Sequence, residues 1–165
     1  MPHRSYFLEL TTAQDFCPAP FSIKGVSTRL AQPADWARCQ SLWREVGRGF
    51  WTERQNWTPD VWKAHLKQAR VRLKIAELRD EDIGFFELQR TDGDVKLEGF
   101  GLLPTWRGRS LGAGLLTMAT QAAFDFGARR IWLHTATDDH PHALPNYLKR
   151  GYRIYHEEPL ADPME

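Results

Sequence analysis

The sequence predicts an α+β fold, an α/β/α sandwich in which helices cover both faces of one mixed, mostly antiparallel twisted sheet. Three observations support this class. Residues 73–89 have the pattern of a β-hairpin, residues 33–46 and 58–69 have helical spacing of apolar side chains, and residues 95–135 have the pattern strand, helix, strand. The last unit is typical of a parallel βαβ crossover, so the predicted sheet becomes parallel at its centre.

The N-terminal segment begins with a predicted strand at 5–10. Residues 13–25 contain two prolines and a glycine and predict a connecting loop, and 26–30 predicts a second strand. Residues 1–32 match no family pattern, so we treat them as an extension of a single domain that spans 1–165.

Two helices and an aromatic loop follow. The helix predicted at 33–46 ends at Gly47, and the next helix begins at its N-cap Thr58 and runs to about residue 69. Between them, 49–57 has no regular periodicity. Tryptophans at helical spacing, Trp36, Trp43 and Trp62, are predicted to pack in the core.

The composition limits the classes of partner. The chain has 165 residues, 42% hydrophobic, with 22 basic and 21 acidic side chains, so no net field favours nucleic acid or a membrane surface. We expect a small-molecule or peptide partner and a monomer or homodimer. The first residues lack the apolar core of a signal peptide, and Cys17 and Cys39 are isolated, so we expect a cytoplasmic protein with free thiols.

The stretch 95–116 contains the clearest functional pattern. A short apolar strand at 97–103 ends at Pro104, and a basic loop with Arg107, Gly108 and Arg109 leads into a helix that begins near Leu111 and ends at Gly127. The free N–H groups and positive dipole of a helix N-terminus suit a phosphate. The stretch therefore predicts an anion-binding loop.

Two common phosphate loops are excluded. A P-loop requires Gly-Lys-Ser/Thr, and a dinucleotide fingerprint requires a third glycine at the position of Thr117. The loop instead resembles the coenzyme A loop of the GNAT acetyltransferase superfamily, Pro-x-x-Arg/Gln-x-x-Gly-x-Gly/Ala, read here as Pro104, Arg107 and Gly112. Ser110 stands where the family usually has glycine, and we expect little strain there if its φ is negative.

An alternative register of the same loop, Arg109-x-x-Gly112-x-Gly114, also fits the letters. We prefer the first register because the family places its arginine three residues after the proline. A second motif, Ala143-x-x-x-Tyr147-x-x-x-Gly151-Tyr152, resembles the family's Ala-x-x-x-Tyr-x-x-x-Gly-Phe/Tyr signature. The resemblance covers 95–157.

The resemblance implies acetyl-CoA as cosubstrate and a GNAT-like sheet with a central βαβ coenzyme A-binding unit. The pantetheine would bond to the backbone of Leu102 and Leu103 at the end of the splayed strand. The pyrophosphate would bind the loop and helix start, which comprise Arg107, Gly108, Arg109, Ser110, Leu111, Gly112 and Ala113.

The resemblance also implies catalytic roles. Tyr147 matches the tyrosine that faces the coenzyme A sulfur, and a phenol there can protonate the leaving thiolate. Lys96 occupies the position at which some family members have a catalytic glutamate, and it cannot serve as a carboxylate base. Glu98, on the same strand face, and Glu87, in the neighbouring strand, are the two candidate bases, acting directly or through water.

Aromatic side chains in the loop between the first two helices, and a polar cluster before the last helix, are further candidates for functional roles. In the GNAT fold the loop between the first two helices usually lines the acceptor site, so Phe50, Trp51 and Trp57 are predicted to wall the acceptor pocket. His134 is predicted to lie in the core. A polar cluster, Asp138, Asp139, His140 and His142, is interpreted as a helix start, and no metal site is predicted.

The resulting functional hypothesis is transfer of an acetyl group from acetyl-CoA to a primary amine of a small molecule or peptide by direct attack. The alternative is a non-catalytic acyl-CoA sensor or interaction domain. The family's last strand has no counterpart after 152–156, because 157–165 contains two prolines and little β-forming sequence. We therefore expect the strand at 5–10, or a partner chain, to cover the open sheet edge.

Overall fold

A computed structural model describes residues 3–48, 50–137 and 141–160. In the described chain one sheet combines seven strands in the order β2-β3-β4-β5-β6-β1-β7, and the pair β5–β6 is parallel while the other neighbours are antiparallel. The predicted mixed sheet is thus confirmed. Its strands are β1 (Arg4–Leu10), β2 (Ser27–Leu30), β3 (Val71–Leu78), β4 (Glu81–Thr91), β5 (Asp94–Leu102), β6 (Arg130–Ala136) and β7 (Arg153–Pro159).

Four α-helices are present in the described residues, and they are α1 (Trp36–Val46), α2 (Pro59–Lys67), α3 (Gly112–Asp125) and α4 (Ala143–Lys149). Helix α1 is followed by Gly47, and the side chain of Thr58 caps α2 by accepting the N–H of Val61 at 3.3 Å, both as predicted. Helix α1 begins later than predicted because Pro33–Asp35 forms a 3-10 turn.

The sheet has a core on each face. Phe85 and Phe86 are neighbours on β4, and they point to opposite faces because side chains alternate along a strand. Phe85 packs with α1 and α2, beside the buried Trp43 and Trp62, whereas Phe86 belongs to the core under α3. The α/β/α arrangement is therefore confirmed.

Strand β1 lies between β6 and β7 and so joins the last strand to the rest of the sheet. It pairs antiparallel with β6 on one side, from Ser5↔Ala136 to Leu10↔Ile131, and with β7 on the other. The prediction that the strand at 5–10 pairs with the last strand is confirmed. The last strand is longer than predicted, because β7 continues to Pro159 where 157–165 was expected to lack β-structure. His134 is exposed, contrary to prediction, because it lies beside Phe7 on the face of β6 opposite the core that holds Leu133.

Other sequence expectations concern cysteines and membranes. Cys17 is exposed, Cys39 is buried, and neither forms a disulfide. Burial raises the pKa of the Cys39 thiol to about 12, so it stays protonated at neutral pH. Among the described helices, none has the length and apolar character needed to cross a membrane.

Candidate active site

The site lies where the two central strands separate. Strands β5 and β6 pair over three positions, Asp94↔Arg130, Val95↔Ile131 and Lys96↔Trp132. Strand β6 then continues to Ala136 against β1, whereas β5 continues to Leu102 against β4. A wedge-shaped gap therefore opens between the ends of β5 and β6.

The edge of β5 that faces this gap carries backbone groups without a strand partner. The N–H of Leu103 donates to Ile83 of the β4 side at 2.8 Å, and its carbonyl accepts the N–H of Trp106 at 2.9 Å. Alternation directs the backbone groups of Phe100 and Leu102 the other way, into the gap. This corrects the prediction for Leu103, whose N–H and carbonyl are both bonded within the protein. At Leu102 the carbonyl accepts the Nε of Arg107 at 3.3 Å, so its N–H is the group left to meet the pantetheine.

A cavity of about 570 Å³ occupies the gap, a size typical of small-molecule sites. It brings together most residues predicted for the site, namely Phe50, Trp51, Leu102, Arg107, Gly108, Ser110, Leu111, Gly112, Ala113 and Tyr147. The predicted residues that do not line it are Leu103, Arg109, Trp57, Glu98 and Glu87.

The start of α3, which lines this cavity, has N–H groups that are not used within the helix. The first helical hydrogen bond runs from the N–H of Leu115 to the carbonyl of Leu111, and no side chain caps the helix. Among the described residues no acceptor is bonded to the N–H groups of 111–114. A 14-residue helix with open N–H groups fits the pyrophosphate of coenzyme A.

Ser110 adopts a backbone conformation that favours glycine. Its φ is +60°, and Gly108 two residues earlier has φ +74°. The condition stated for little strain at Ser110, a negative φ, is therefore not met. The left-handed region is costly for residues with a Cβ, which gives a physical reason for the glycine that the family usually has at this position.

The two loop arginines have structural partners. Arg107 lines the cavity and its guanidinium donates to the carbonyl of Val46 at 2.8 Å and to that of Leu102 at 3.3 Å, so it ties the loop to α1 and to the end of β5. Arg109 stacks on Trp106, with its Cζ 4.7 Å from a ring centroid. Each arginine thus has a place in the loop before any phosphate binds.

Sequence reasoning missed two basic residues of the cavity. Lys149 and Arg150, at the end of α4, both line it. The Nε of Arg150 is buried and is bonded to no acceptor in the described chain, and its guanidinium adds positive charge to this side of the cavity. The basic pair directly before Gly151 was the available signal, but nothing local indicated that it faces the same gap as the loop.

Tyr147 lies beside the anion-binding loop. Helix α4 is joined to the start of α3 by the side-chain amide of Asn146, which donates to the carbonyl of Gly112 at 3.1 Å. Tyr147 is 8% exposed, and its ring contacts those of Phe100 and Tyr152, each with ring centroids 6.1 Å apart. Its position in the cavity leaves the predicted role of general acid chemically reasonable.

The neighbouring Tyr152 has a different environment. Its hydroxyl is 2.8 Å from that of the buried Thr120, and burial raises its pKa above the usual value. Tyr152 is therefore a core residue, and of the two tyrosines it is Tyr147 that meets the cavity.

Glu87 is not positioned as a base. Its side chain is fully buried, Arg54 donates to both carboxylate oxygens at 2.7 and 2.6 Å, and His65 and Gln89 each contact it at 2.9 Å. Burial opposes ionisation, but the hydrogen bonds from Arg54 and His65 outweigh it and lower the pKa to about 2. This corrects the prediction of Glu87 as base, because a fully paired carboxylate of such low basicity cannot reach or deprotonate a substrate.

Glu98 is the other predicted base. A β-bulge leaves it without a partner on β4, since Glu87 pairs with Gly99 and Leu88 with Leu97. Its carboxylate pairs with Lys96 at 2.7 Å, so the two share a face as predicted. No carboxylate lines the described part of the cavity, and the described imidazole that does is His142.

The three predicted acceptor-wall aromatics divide into two groups. Phe50 and Trp51 line the cavity. Trp57 instead packs on Trp62 and His65, with ring centroids 4.9 and 5.0 Å apart, which corrects its assignment to the pocket. The Trp57 ring also packs against the buried guanidinium of Arg54, together with the rings of Trp43 and Trp62. We call these three rings the tryptophan cage. Arg54 was not predicted from the sequence to have a role.

The polar cluster before α4 lies partly outside the described residues, which exclude Asp138, Asp139 and His140. His142 is the residue directly before α4, in agreement with a helix start. Within the described chain no group of three or more His, Cys, Asp or Glu side chains could hold a metal ion.

Comparison with known proteins gives a family and a fold. The model of the acetyltransferase (GNAT) family matches residues 36–152. A GCN5-related N-acetyltransferase from Sphaerobacter thermophilus superposes with a TM-score of 0.73 at 21% identity, over 94% of this chain and 50% of that one. A GCN5-related N-acetyltransferase from Kribbella flavida gives 0.68 at 21% identity, over 94% and 58%.

The chain thus spans 50% and 58% of the lengths of these two proteins. The PaiA N-acetyltransferase from Thermoplasma acidophilum in complex with coenzyme A superposes with a TM-score of 0.51 at 17% identity, over 62% of this chain and 74% of that one. A search of curated proteins gave no match. The fold of this family binds acetyl-CoA, so the predicted cosubstrate is confirmed at the level of the family. The chain belongs to the acetyltransferase (GNAT) family.

Proposed function

We propose that the protein transfers the acetyl group of acetyl-CoA to a primary amine of a small molecule or peptide by direct attack. The observation that carries this proposal is the composition of one cavity. The end of the splayed strand β5, the start of α3, Tyr147 and the aromatic pair Phe50 and Trp51 all meet in it.

The residues divide into a cosubstrate side and an acceptor side. The backbone at Leu102 would bond the pantetheine as a neighbouring strand would, and the N–H groups from Gly108 to Gly114 would hold the pyrophosphate. Lys149 and Arg150 would add positive charge. Phe50 and Trp51 would contact the body of the acceptor.

Acetyl-CoA would supply an activated thioester, whose C–S bond breaks as the amine nitrogen bonds to the acyl carbon. Tyr147 would donate its phenolic proton to the departing sulfur. His142 would accept, directly or through water, the proton that the amine loses, and proton return through solvent would restore both side chains. Lys96 and the ion-paired Glu98 would take no part in this transfer.

One observation favours a second candidate, a non-catalytic acyl-CoA sensor. No carboxylate is among the described residues that line the cavity, so a base of the kind found in other family members is missing from them. A sensor would use the same coenzyme A contacts but would not turn the thioester over.

Thiol release separates the two candidates. The chain is incubated with acetyl-CoA and a panel of monoamines, polyamines and N-terminal peptides, and both free thiol and acetylated amine are measured. The proposal predicts thiol release that depends on the amine and matches the amide formed. Saturable binding of acetyl-CoA without amine-dependent release across the panel would overturn it in favour of the sensor.

A further inference from the structure

A buried arginine lies in the loop that carries the acceptor wall. Arg54 belongs to the segment between α1 and α2, three residues after Trp51, and only 5% of it is exposed. Its guanidinium reaches through the α1/α2 layer to Glu87 in the middle of the sheet, with the two hydrogen bonds of 2.7 and 2.6 Å. His65 of α2 contacts the same carboxylate.

Three indole rings enclose the guanidinium. Its Cζ lies 3.9 Å from a ring centroid of Trp43, 4.5 Å from that of Trp57 and 5.4 Å from that of Trp62. A planar cation stacked on aromatic faces and bonded bidentately to a carboxylate is held in one orientation. The cage thus fixes both the loop and the helices that contribute the rings.

This network extends to the cavity wall. Trp43 contacts Trp51 with ring centroids 4.6 Å apart, and Trp51 lines the cavity. The packing leaves little room, because a Cβ on Gly99 would lie 2.8 Å from the Trp43 ring and a Cβ on Gly47 would overlap the ring of Trp51. A displacement of Arg54 would therefore move Trp51.

The other hydrogen bonds of the loop are local. Phe50 and Trp51 donate backbone N–H groups to the carbonyl of Gly47, and Gln55 donates to Thr52. Side chains of α1 bond the carbonyls of Gln55 and Trp57. Within the described residues 50–57, the hydrogen bonds to the sheet are those of Arg54. The ion pair is thus the polar anchor between this loop and β4.

We propose that Arg54 is a positioning residue for the acceptor: through Glu87 and the tryptophan cage it holds Trp51 and Phe50 at the cavity. This inference rests on the proposed function. The coenzyme A side of the cavity is built from α3, α4 and the end of β5, and the cage does not contact those elements' anion-binding residues. Arg107 of the coenzyme A loop bonds α1 at the carbonyl of Val46, which is not part of the cage. The anchor therefore acts mainly on the acceptor.

Arg54→Lys tests the anchor while keeping a positive charge beside Glu87. A lysine ammonium cannot make the bidentate contact or stack as a plane, so the loop loses its fixed orientation. The matched control is Arg38→Lys on α1, an arginine with 42% side-chain exposure that pairs with Glu77 and Asp82 at the other end of the layer.

Two readouts are measured for each variant. In Arg54→Lys, amide hydrogen exchange of 50–57 should accelerate at least about tenfold, and the KM for the amine should rise about tenfold or more while the KM for acetyl-CoA changes less than about twofold. The control should match the wild type in both. Unchanged loop exchange and an unchanged amine KM in Arg54→Lys would overturn the proposal, as would an equal rise in both KM values.

Amide hydrogen exchange can be measured whether or not the protein is active. A wild type without transferase activity would refute the proposed function, and the exchange of 50–57 in Arg54→Lys would still test the anchor. If Arg54→Lys fails to fold, the double variant Arg54→Met, Glu87→Met replaces the pair with apolar side chains, an exchange that buried ion pairs often tolerate. Faster exchange of 50–57 in this folded variant supports the anchor, and wild-type exchange there overturns it.

Discussion

The buried ion pair makes the stability of the protein depend on Glu87, and Glu87→Gln is the direct test. The substitution keeps the shape of the side chain but removes the charge that faces Arg54 and His65. Folding lowers the pKa of this carboxyl from 4.5 to about 2. Each tenfold change in proton affinity is worth about 1.4 kcal/mol, so the ionised form contributes about 3 kcal/mol. Breaking a buried pair typically costs about 3–5 kcal/mol, which agrees.

The same contribution has a defined pH dependence. Since the folded-state pKa lies below the unfolded-state value, the unfolded chain takes up this proton first as the pH falls. The stabilisation is complete above pH 4.5 and is lost as the pH falls through about 2. At pH 3 about half of it remains. The difference in unfolding free energy between wild type and Glu87→Gln should therefore narrow between pH 7 and pH 3.

Urea unfolding followed by tryptophan fluorescence measures the loss of unfolding free energy in Glu87→Gln at pH 7 and how that loss changes down to pH 3. A matched control is Glu77→Gln, because Glu77 also pairs with two arginines but is 26% exposed, and such pairs are worth about 1 kcal/mol or less. The reasoning fails if Glu87→Gln lies within about 1 kcal/mol of the wild type at pH 7, or if the difference stays constant to pH 3.

Three other substitutions have defined outcomes. Tyr147→Phe should lower the turnover number about 10²–10⁴-fold with little change in acetyl-CoA affinity or melting temperature, and normal turnover would remove its role as general acid. Ser110→Gly should relieve the strain of a φ of +60° and raise the melting temperature by about 2–4 °C in thermal unfolding, whereas a lower value would contradict the strain. Gly151→Ala should cost at least about 2 kcal/mol in urea unfolding, because φ is +103° and a Cβ would overlap the carbonyl oxygen of Asp15; wild-type stability would be inconsistent with this turn.

Local patterns made most of the fold predictable. Gly47 follows the last residue of α1, and the Thr58 side chain caps the start of α2. Both are helix-end signals that involve residues close in sequence, so they can be recognised without knowledge of the fold. The order strand, loop, helix, strand around Gly112 gave the parallel pair β5–β6 for the same reason. The pairing of β1 with β7 was one of two predicted ways to cover the open edge, the other being a partner chain, and its place between β6 and β7 was not predicted.

The errors arose where distant residues meet. Arg54 and Glu87 are 33 positions apart, and neither neighbourhood signals an ion pair, so a structural carboxylate was predicted to be a base. Trp57 was predicted to line the pocket because its loop is aromatic, but its ring packs on the buried guanidinium of Arg54. The φ of Ser110 is set by the whole turn between Pro104 and α3. The presence of a serine where the family usually has glycine therefore did not show that φ is positive here.

The central claim is that coenzyme A binds in the gap between β5 and β6 with its pyrophosphate at the start of α3. Calorimetric titration of coenzyme A into Gly112→Glu tests it, because the change adds bulk and a negative charge at the helix start that lines the cavity. The wild type should bind and the folded variant should show no measurable heat of binding. Wild-type affinity in folded Gly112→Glu would contradict the claim and move the coenzyme A site away from this loop.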